Sequence, residues 1–508
     1  MRPLRRGGWA GKSLGTMLSR AGDRLRDAIV VAAQAGAGMA VLLLHGHASG
    51  QGAELGGPLS PGLYAIPSFS VAEEFRSNVF GTARSPTSDF VTTFTPGLSL
   101  GYRSEPFTLL GSYALTSEVY ADNPDLDSAV ARQVASLGLR YSPDRRLSLR
   151  LDGTYTDTNN AGQFLLPFTP ALGTPAPGAP SAGATAPATG GAGTTSGGTA
   201  GGIGAPITPA PGTPGGPSVI PAVSTQRIHA SVISASTGAS YALNVQTTLD
   251  ANYTYTRVRE SGTPDNAEHQ GTLSASRVFT PQDTGRLTYK LAVFEGNSQQ
   301  RGLTTNSGLI GWTHQFTPLL TASADIGPRF DSDGGVGLDA SASLEYRFLE
   351  QASAALAYTH GEGLVVGRQG ASIVDTVTAS VSYVPLRDLV LSLVGSFSRT
   401  DSLGSSNTGT TTGGVATGST GEGVISAPGA SGTATPAVTT SNTGSTVETV
   451  YAIGLTASYR LTQTLSLRGY YQFSHNESSG PSGAPAVDNH VVGVALDWSY
   501  PFRIQWFE

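Results

Sequence analysis

The stretch YRLTQTLSLRGYYQF, Tyr459 to Phe473, decides the fold. From Leu465 onward, Leu467, Tyr471 and Phe473 fall on alternate positions, with Ser466, Arg468 and Gln472 between them. A period of two is that of an extended strand, whose successive side chains face opposite ways. One face here is apolar and the other polar, and the run is preceded by an aromatic, Tyr459, and a short polar turn.

The pattern recurs along the chain. Arg146 to Thr156 sets Leu147, Leu149, Leu151 and Tyr155 against Ser148, Arg150, Asp152 and Thr154. Val336 to Phe348 sets Leu338, Ala340, Leu344 and Tyr346 against Asp339, Ser341, Glu345 and Arg347, and His490 to Tyr500 alternates likewise. Such segments run from 66–78 to 489–503, about eighteen in all. Sixteen is the lower count, because apolar residues change phase or thin out over 226–241, 268–280 and 302–316.

The connections alternate too. Short ones follow an aromatic, as in YRSEPF (102–107), YSPDRRL (141–147), YALNV (241–245), FTPQDTGRL (279–287), FTPLL (316–320), FLEQA (348–352), YVPLRDL (383–389) and YRLTQTL (459–465). The others are longer, including Gly-, Pro- and Thr-rich stretches over 159–225 and 402–447 that hold too little apolar surface to order themselves. Short turns at one end, long loops at the other and aromatics at the turn rim describe an all-β, transmembrane, up-and-down antiparallel barrel of the bacterial outer membrane. A soluble array of β-sandwiches also alternates, but does not call for uniform strand length or loops that grow at one end only.

Composition agrees with this reading. Charged residues are 13% of the 508, and Gly 66, Pro 31 and Cys 0 suit a β-rich chain with long insertions and no thiolate or disulfide chemistry. A basic segment with Arg2, Arg5, Arg6, Lys12, Arg20, Arg24 and Arg26 precedes the apolar run Ala28 to Leu44 and then small residues, as in an export signal. We expect a leader over 1–50 starting at Met1 or Met17, a lead-in over 51–63, a barrel over 64–503 and a tail over 504–508. Residues 1–50 carry seven basic and two acidic groups, so the remainder carries a net −11 against −6 for the whole, unsuited to nucleic acid. The lead-in is too short to plug the barrel, and a barrel of this size encloses an aqueous bore.

The segment Glu73 to Arg103 resembles the N-terminal signature of an outer-membrane β-barrel porin family often associated with exopolysaccharide export systems. The resemblance rests on Phe75, Asn78, Val79 and Phe80, then Asp89-Phe90, then Pro96-Gly97-Leu98; Ser77 stands where family members tend to carry Asp. It implies an outer-membrane location and a pore or secretion-associated role, and supplies no catalytic residue. Gly493, Leu496, Trp498 and Tyr500 resemble the last-strand signal by which barrel-assembly machinery recognises such chains.

Gly97-Leu98-Ser99-Leu100-Gly101 fits the G-x-S-x-G elbow, but that elbow needs a strand-to-helix turn and Ser99 lies inside an alternating strand. His229, His269, His314, His360, His475 and His490 lack metal-type spacing or an obvious Ser or Asp companion in sequence, and read as interface or loop residues. No catalytic, metal or cofactor site is expected, and an outer-membrane barrel enzyme ranks third among the functions.

Parity places Arg132, Arg140, Arg150, Asp152, Asp250, Lys290, Glu345, Arg347, Arg468 and Asp497 toward the lumen. These charges either solvate the bore or, through a basic group of Arg132, Arg140 and Arg150, set ion or sugar preference. The first function expected is passage of small hydrophilic solutes, or of a polysaccharide within an export apparatus. The second is a structural or surface-display barrel with a closed lumen. Partners expected are outer-membrane lipid and the assembly machinery.

Overall fold

The computed structural model describes residues 62–159, 229–261, 264–296, 302–349, 351–365, 370–402, 447–479 and 486–504. Apart from edge residues, the expected leader, lead-in, 159–225 and 402–447 loops and C-terminal tail lie outside them.

The strands are β1 (Gly62–Arg76), β2 (Asp89–Arg103), β3 (Phe107–Tyr120), β4 (Ser128–Tyr141), β5 (Leu147–Thr158) and β6 (Ala230–Ala242). Then come β7 (Thr247–Glu260), β8 (Asn266–Val278), β9 (Asp283–Phe294), β10 (Leu303–Thr317), β11 (Leu320–Asp331) and β12 (Val336–Leu349). The last are β13 (Ala352–Leu364), β14 (Ala371–Leu386), β15 (Leu389–Ser402), β16 (Val447–Arg460), β17 (Leu465–Ser479), β18 (Val487–Ser499) and the short β19 (Phe502–Ile504). All eighteen expected strands are present, within a few residues of the expected bounds.

Each long strand pairs antiparallel with the next. β18 returns to β1, with Phe69 opposite Trp498 and Phe75 opposite Val492, so the sheet closes. Closure leaves no strand edge in hydrocarbon, where each unpaired backbone group would cost several kcal/mol. The last expected strand is split at Tyr500-Pro501, since proline has no N–H to give the ladder; β19 resumes the seam with Ile504 opposite Leu63.

The four prolines inside strands follow the same logic, among them Pro385 of β14, where the β14–β15 ladder lapses between Tyr383 and Leu386. Pro67 of β1 faces the gap between β18 and β19, where pairing stops at Ser68 and resumes at Ala65. Pro96 lies where the β2–β3 ladder lapses between Phe94 and Gly97, and Pro328 where the β10–β11 ladder lapses between Arg329 and Ile326. Each missing N–H falls where a neighbouring ladder is interrupted.

The apolar face points outward. Leu273, Leu287, Ile310, Ile326 and Val494 are all more than half exposed, while Thr288 and Ala495, one residue away from such neighbours, are 1% exposed. A water-soluble sheet would bury the first set; this one offers it to lipid. The aromatics before the short turns, Tyr102, Tyr141, Tyr241, Phe279, Phe316, Phe348, Tyr383 and Tyr459, are all among the exposed large apolar residues, forming the expected girdle at one rim. This is the exterior of a bacterial outer-membrane barrel, with the short turns at the periplasmic end and the longer connections at the outer end.

The short turns are closed by side chains suited to them. Asp144 accepts the N–H groups of Arg146 and Leu147 at 2.7 Å each, and Thr462 Oγ1 accepts from Leu465 at 3.1 Å. The backbone N–H groups of Leu147 and then Arg146 hold the Asp144 carboxyl below its usual range.

Candidate functional site

The inner wall is polar, and all ten residues assigned to it by parity occupy inward positions of their strands. They do not form one group. Arg140 of β4 lies directly opposite Arg150 of β5, with Asp152 close enough to feel both charges. Arg132 is eight residues farther along β4, roughly 26 Å at the strand rise, and stands near Glu118 instead. The expected basic group of three is thus an Arg140–Arg150 pair with Arg132 apart, because strand length separates residues that parity alone puts on one face. Asp250 lies on the inner face of β7 between Ser240 and Ser274. Glu345 and Arg347 occupy the periplasmic part of β12, with no side-chain ion pair among the described residues. Arg468 binds Asp497 at 3.0 Å, and Ser70 donates to the same carboxylate at 2.6 Å. Lys290 is 3.5 Å from Asp339.

Several contacts join strands that are not neighbours, and three of them cross a glycine on the strand between. Arg150 lies over Gly238 of β6 and reaches Asn252 of β7 at 3.2 Å. Arg286 lies over Gly311 of β10 and pairs with Asp325 of β11. The Tyr470 ring lies over Gly493 of β18 and donates to Glu74 of β1 at 2.5 Å. A Cβ on Gly493 would sit 2.4 Å from that ring, so the glycine read as a terminal recognition signal also has a local packing role. Glu74 in turn holds Arg76 at 2.7 Å, and Arg76 reaches Glu118 at 2.9 Å and the Tyr120 hydroxyl at 3.1 Å. Tyr470→Phe should lower barrel stability by about 1–3 kcal/mol, the cost of removing a donor from a buried charged acceptor. Urea unfolding from lipid vesicles would read this, and Tyr471→Phe, on the exposed face, should cost less.

The outer end carries a feature that the sequence reading missed. β13 pairs with β12 only as far as His360; beyond it, β13 pairs with β14 alone and turns inward. Gly361 and Gly363, on either side of Glu362, suit that bend. Glu362 then meets Arg329 of β11 at 2.6 Å, and Arg329 also holds Asp339 and Asp331 at 3.1 Å each. The Arg329 guanidinium lies over Gly337 of β12, a fourth crossing at a glycine.

Farther along the hairpin, Leu364 and Ala371 pack on Ala230, Val258, Ala292 and Phe294, inward residues of β6, β7 and β9. The Gly370 N–H donates to Asn266 of β8 at 3.2 Å. The hairpin therefore lies against the inner wall from β11 round to β6 and occupies part of the bore at its outer end. The expectation of a bore without a plug is corrected to this extent: the obstruction comes from β13–β14, not from an N-terminal segment. The sequence sign was the Gly361-Glu362-Gly363 triplet inside an otherwise regular strand.

The histidines also differ from expectation. His229 pairs with Asp157 at 3.0 Å, His314 with Asp283 at 2.6 Å, His360 with Asp375 at 2.8 Å and His475 with Asp488 at 2.6 Å. His269 pairs with Glu295 at 2.9 Å. The acidic companions were invisible in sequence because they lie across a strand pair or loop. Placement at strand ends agrees with an interface role. The hydroxyls that meet His269 and His490 belong to Tyr253 and Tyr471, at 2.7 and 3.1 Å.

The signature residues of the N-terminal segment have structural work. Asn78 accepts from the Thr82 N–H at 3.0 Å and donates to the Asp488 carbonyl at 3.3 Å, tying the β1–β2 loop to β18. Asp89 accepts the N–H groups of Asp122 and Asn123, and the Phe75 and Phe90 rings lie 5.3 Å apart.

No family model matches this sequence, and no characterised protein matches it significantly. Among solved structures, the chain is similar to OccAB4 of Acinetobacter baumannii, with 9% identity, TM-score 0.38, and coverage of 87% of this chain and 99% of that one. It is similar to OpdQ of Pseudomonas aeruginosa, with 10% identity, TM-score 0.35 and coverage of 86% and 97%. The siderophore receptor PirA of Pseudomonas aeruginosa gives 8% identity, TM-score 0.37 and coverage of 87% and 81%. At this level of likeness these proteins say nothing about what this chain carries.

Proposed function

We propose that this barrel is a channel for small hydrophilic solutes, narrowed at its outer end by the β13–β14 hairpin, and that it is not an enzyme. The observation that carries the reading is the pairing of an apolar exterior with a charged inner wall around a closed sheet of eighteen long strands. Purified protein in a planar lipid film should give discrete, ohmic conductance steps. Correctly inserted protein that gives no steps would remove the proposal.

The Arg140–Arg150 pair gives the channel a preference. Like charges set directly opposite are unfavourable, and here they add positive potential to the periplasmic half of the bore. The double variant Arg140→Gln/Arg150→Gln should lose anion selectivity severalfold, read as a shift of reversal potential in a salt gradient. An unchanged reversal potential would show that these arginines only solvate the wall.

A second reading is a barrel with a closed lumen. It is favoured by the packing of inward Glu268, Thr305, Ser307 and Lys290, all under a tenth exposed. The conductance measurement separates the two. Service to an exopolysaccharide export system is the finer form of the first reading, supported by the resemblance of Glu73 to Arg103. Block of the conductance by added polysaccharide, absent with a neutral oligosaccharide of similar size, would favour it.

A further inference from the structure

One carboxylate beneath the β13–β14 hairpin has no partner. Glu268, an inward residue of β8, is 2% exposed, and among the described residues its Oε2 meets no hydrogen-bond donor. It stands opposite Phe294 of β9, against which Leu364 of the hairpin packs. β13 comes against β8 across the bore, and the Gly370 N–H reaches Asn266, two residues from Glu268. The docked hairpin covers Glu268. With the hairpin lifted, the carboxylate would face the water of the bore.

The cations at this end are already engaged. Arg329 of β11 is shared by Glu362, Asp339 and Asp331. Lys290 of β9 lies opposite Thr272, four residues along β8 from Glu268, about 13 Å at the strand rise. Its ammonium is turned to Asp339 of β12, 3.5 Å away. Glu260, at the end of β7, adds a further negative charge. β6 and β10 present Ala230, Thr305 and Ser307 here, and Asp375 of β14 is taken by His360. A carboxylate shut away from water without donor or counter-charge is costly in its ionised form and is held as the neutral acid instead.

We propose that docking of the hairpin takes up one proton on Glu268 from the water of the bore, so that acid closes the outer end and rising pH loosens it. The inference deepens the channel reading by giving the restriction a control, and it rests on that reading for its current alone. The sign follows from which state can hydrate the carboxylate. Below the ordinary carboxylate range, about pH 4, both states hold the proton and docking is at its strongest. Above it the lifted state releases the proton to water, and docking weakens.

The test follows the hairpin itself. Ala371→Cys places a single thiol on the hairpin, at a position 4% exposed when docked. Its rate of reaction with a membrane-impermeant maleimide, in vesicle-inserted barrel, reports how often the hairpin lifts. Glu268→Gln in the same background keeps the shape of the protonated acid, and the ratio of the two rates cancels the ionisation of the thiol. At about pH 8 the Glu268→Gln barrel should react severalfold more slowly, and the gap should close toward equal rates at about pH 5. Glu362→Gln removes the same charge but also the Arg329 contact, so it should react faster at pH 8, the opposite direction. Conductance should follow, falling in acid for wild type and staying low at both pH values for Glu268→Gln. Equal rates at pH 8, or a ratio unchanged between the two pH values, would overturn the proposal. Labelling needs no current: a barrel that labels as expected and never conducts would remove the channel reading and leave the proton-linked hairpin standing.

Discussion

Leu364→Asp is expected to release the β13–β14 hairpin from the wall and to raise single-channel conductance severalfold. Leu364 is 1% exposed and packs among Ala230, Val258, Ala292 and Phe294. A carboxylate there would have no cation of its own and would join Glu268 and Glu362 at the same end of the bore. Burying an unpaired charge costs several kcal/mol, more than one Leu side chain gains by burial, about 1.5–3 kcal/mol. The docked state therefore loses, while the barrel survives, because β12–β13 pairing ends at His360, below the hairpin. Glu362→Gln should act in the same direction with a smaller effect, since it weakens the Arg329 contact and leaves Leu364 in place. Folding of both variants is checked by the heat-dependent shift in gel mobility typical of barrels. A folded Leu364→Asp barrel with wild-type conductance would show that the hairpin does not limit the path.

The second large effect is expected at Gly311. A Cβ there would lie 2.0 Å from Asp325 Oδ1 and 3.3 Å from Arg286 Nε, directly under the pair that crosses β10. Both side chains are under a tenth exposed. Gly311→Val must therefore break the pair, and separating a buried ion pair costs about 3–5 kcal/mol. The measured quantity is the urea midpoint for unfolding of vesicle-inserted protein. Gly469→Val is the control: nothing lies within 4 Å of its Cβ, and a β-branched residue suits a strand. It should leave the midpoint unchanged or raise it. If the two variants behaved alike, the crossing pairs would not be structural.

These two positions also mark what could and could not be read from the chain. The eighteen strands were legible because the bilayer imposes a strict period of two, and because an aromatic precedes each short turn. The outward placement of Tyr102, Tyr141 and Tyr459 follows from the same rule. The split of the last strand is written in Pro501, which has no N–H to give the ladder. The crossings were not legible, because Arg286, Gly311 and Asp325 come together only once the register of three strands is fixed. Nor were the histidine pairs: His360 and Asp375 are fifteen residues apart, on different strands. The inward hairpin falls between these cases. Gly361-Glu362-Gly363 signals a bend, but its direction depends on Arg329 and the apolar wall of β6, β7 and β9.

The central claim is that apolar side chains face lipid while polar ones line the interior. It can be tested directly because the chain has no cysteine, so one introduced thiol is the only one. Leu344→Cys and Glu345→Cys, neighbours on β12, should part company in vesicle-inserted protein. A fluorophore on residue 344 should be quenched by a lipid-soluble quencher and the thiol spared by a membrane-impermeant maleimide, whereas the thiol at 345 should react from water and its label escape the quencher. Equal reaction of both thiols from water would contradict the account.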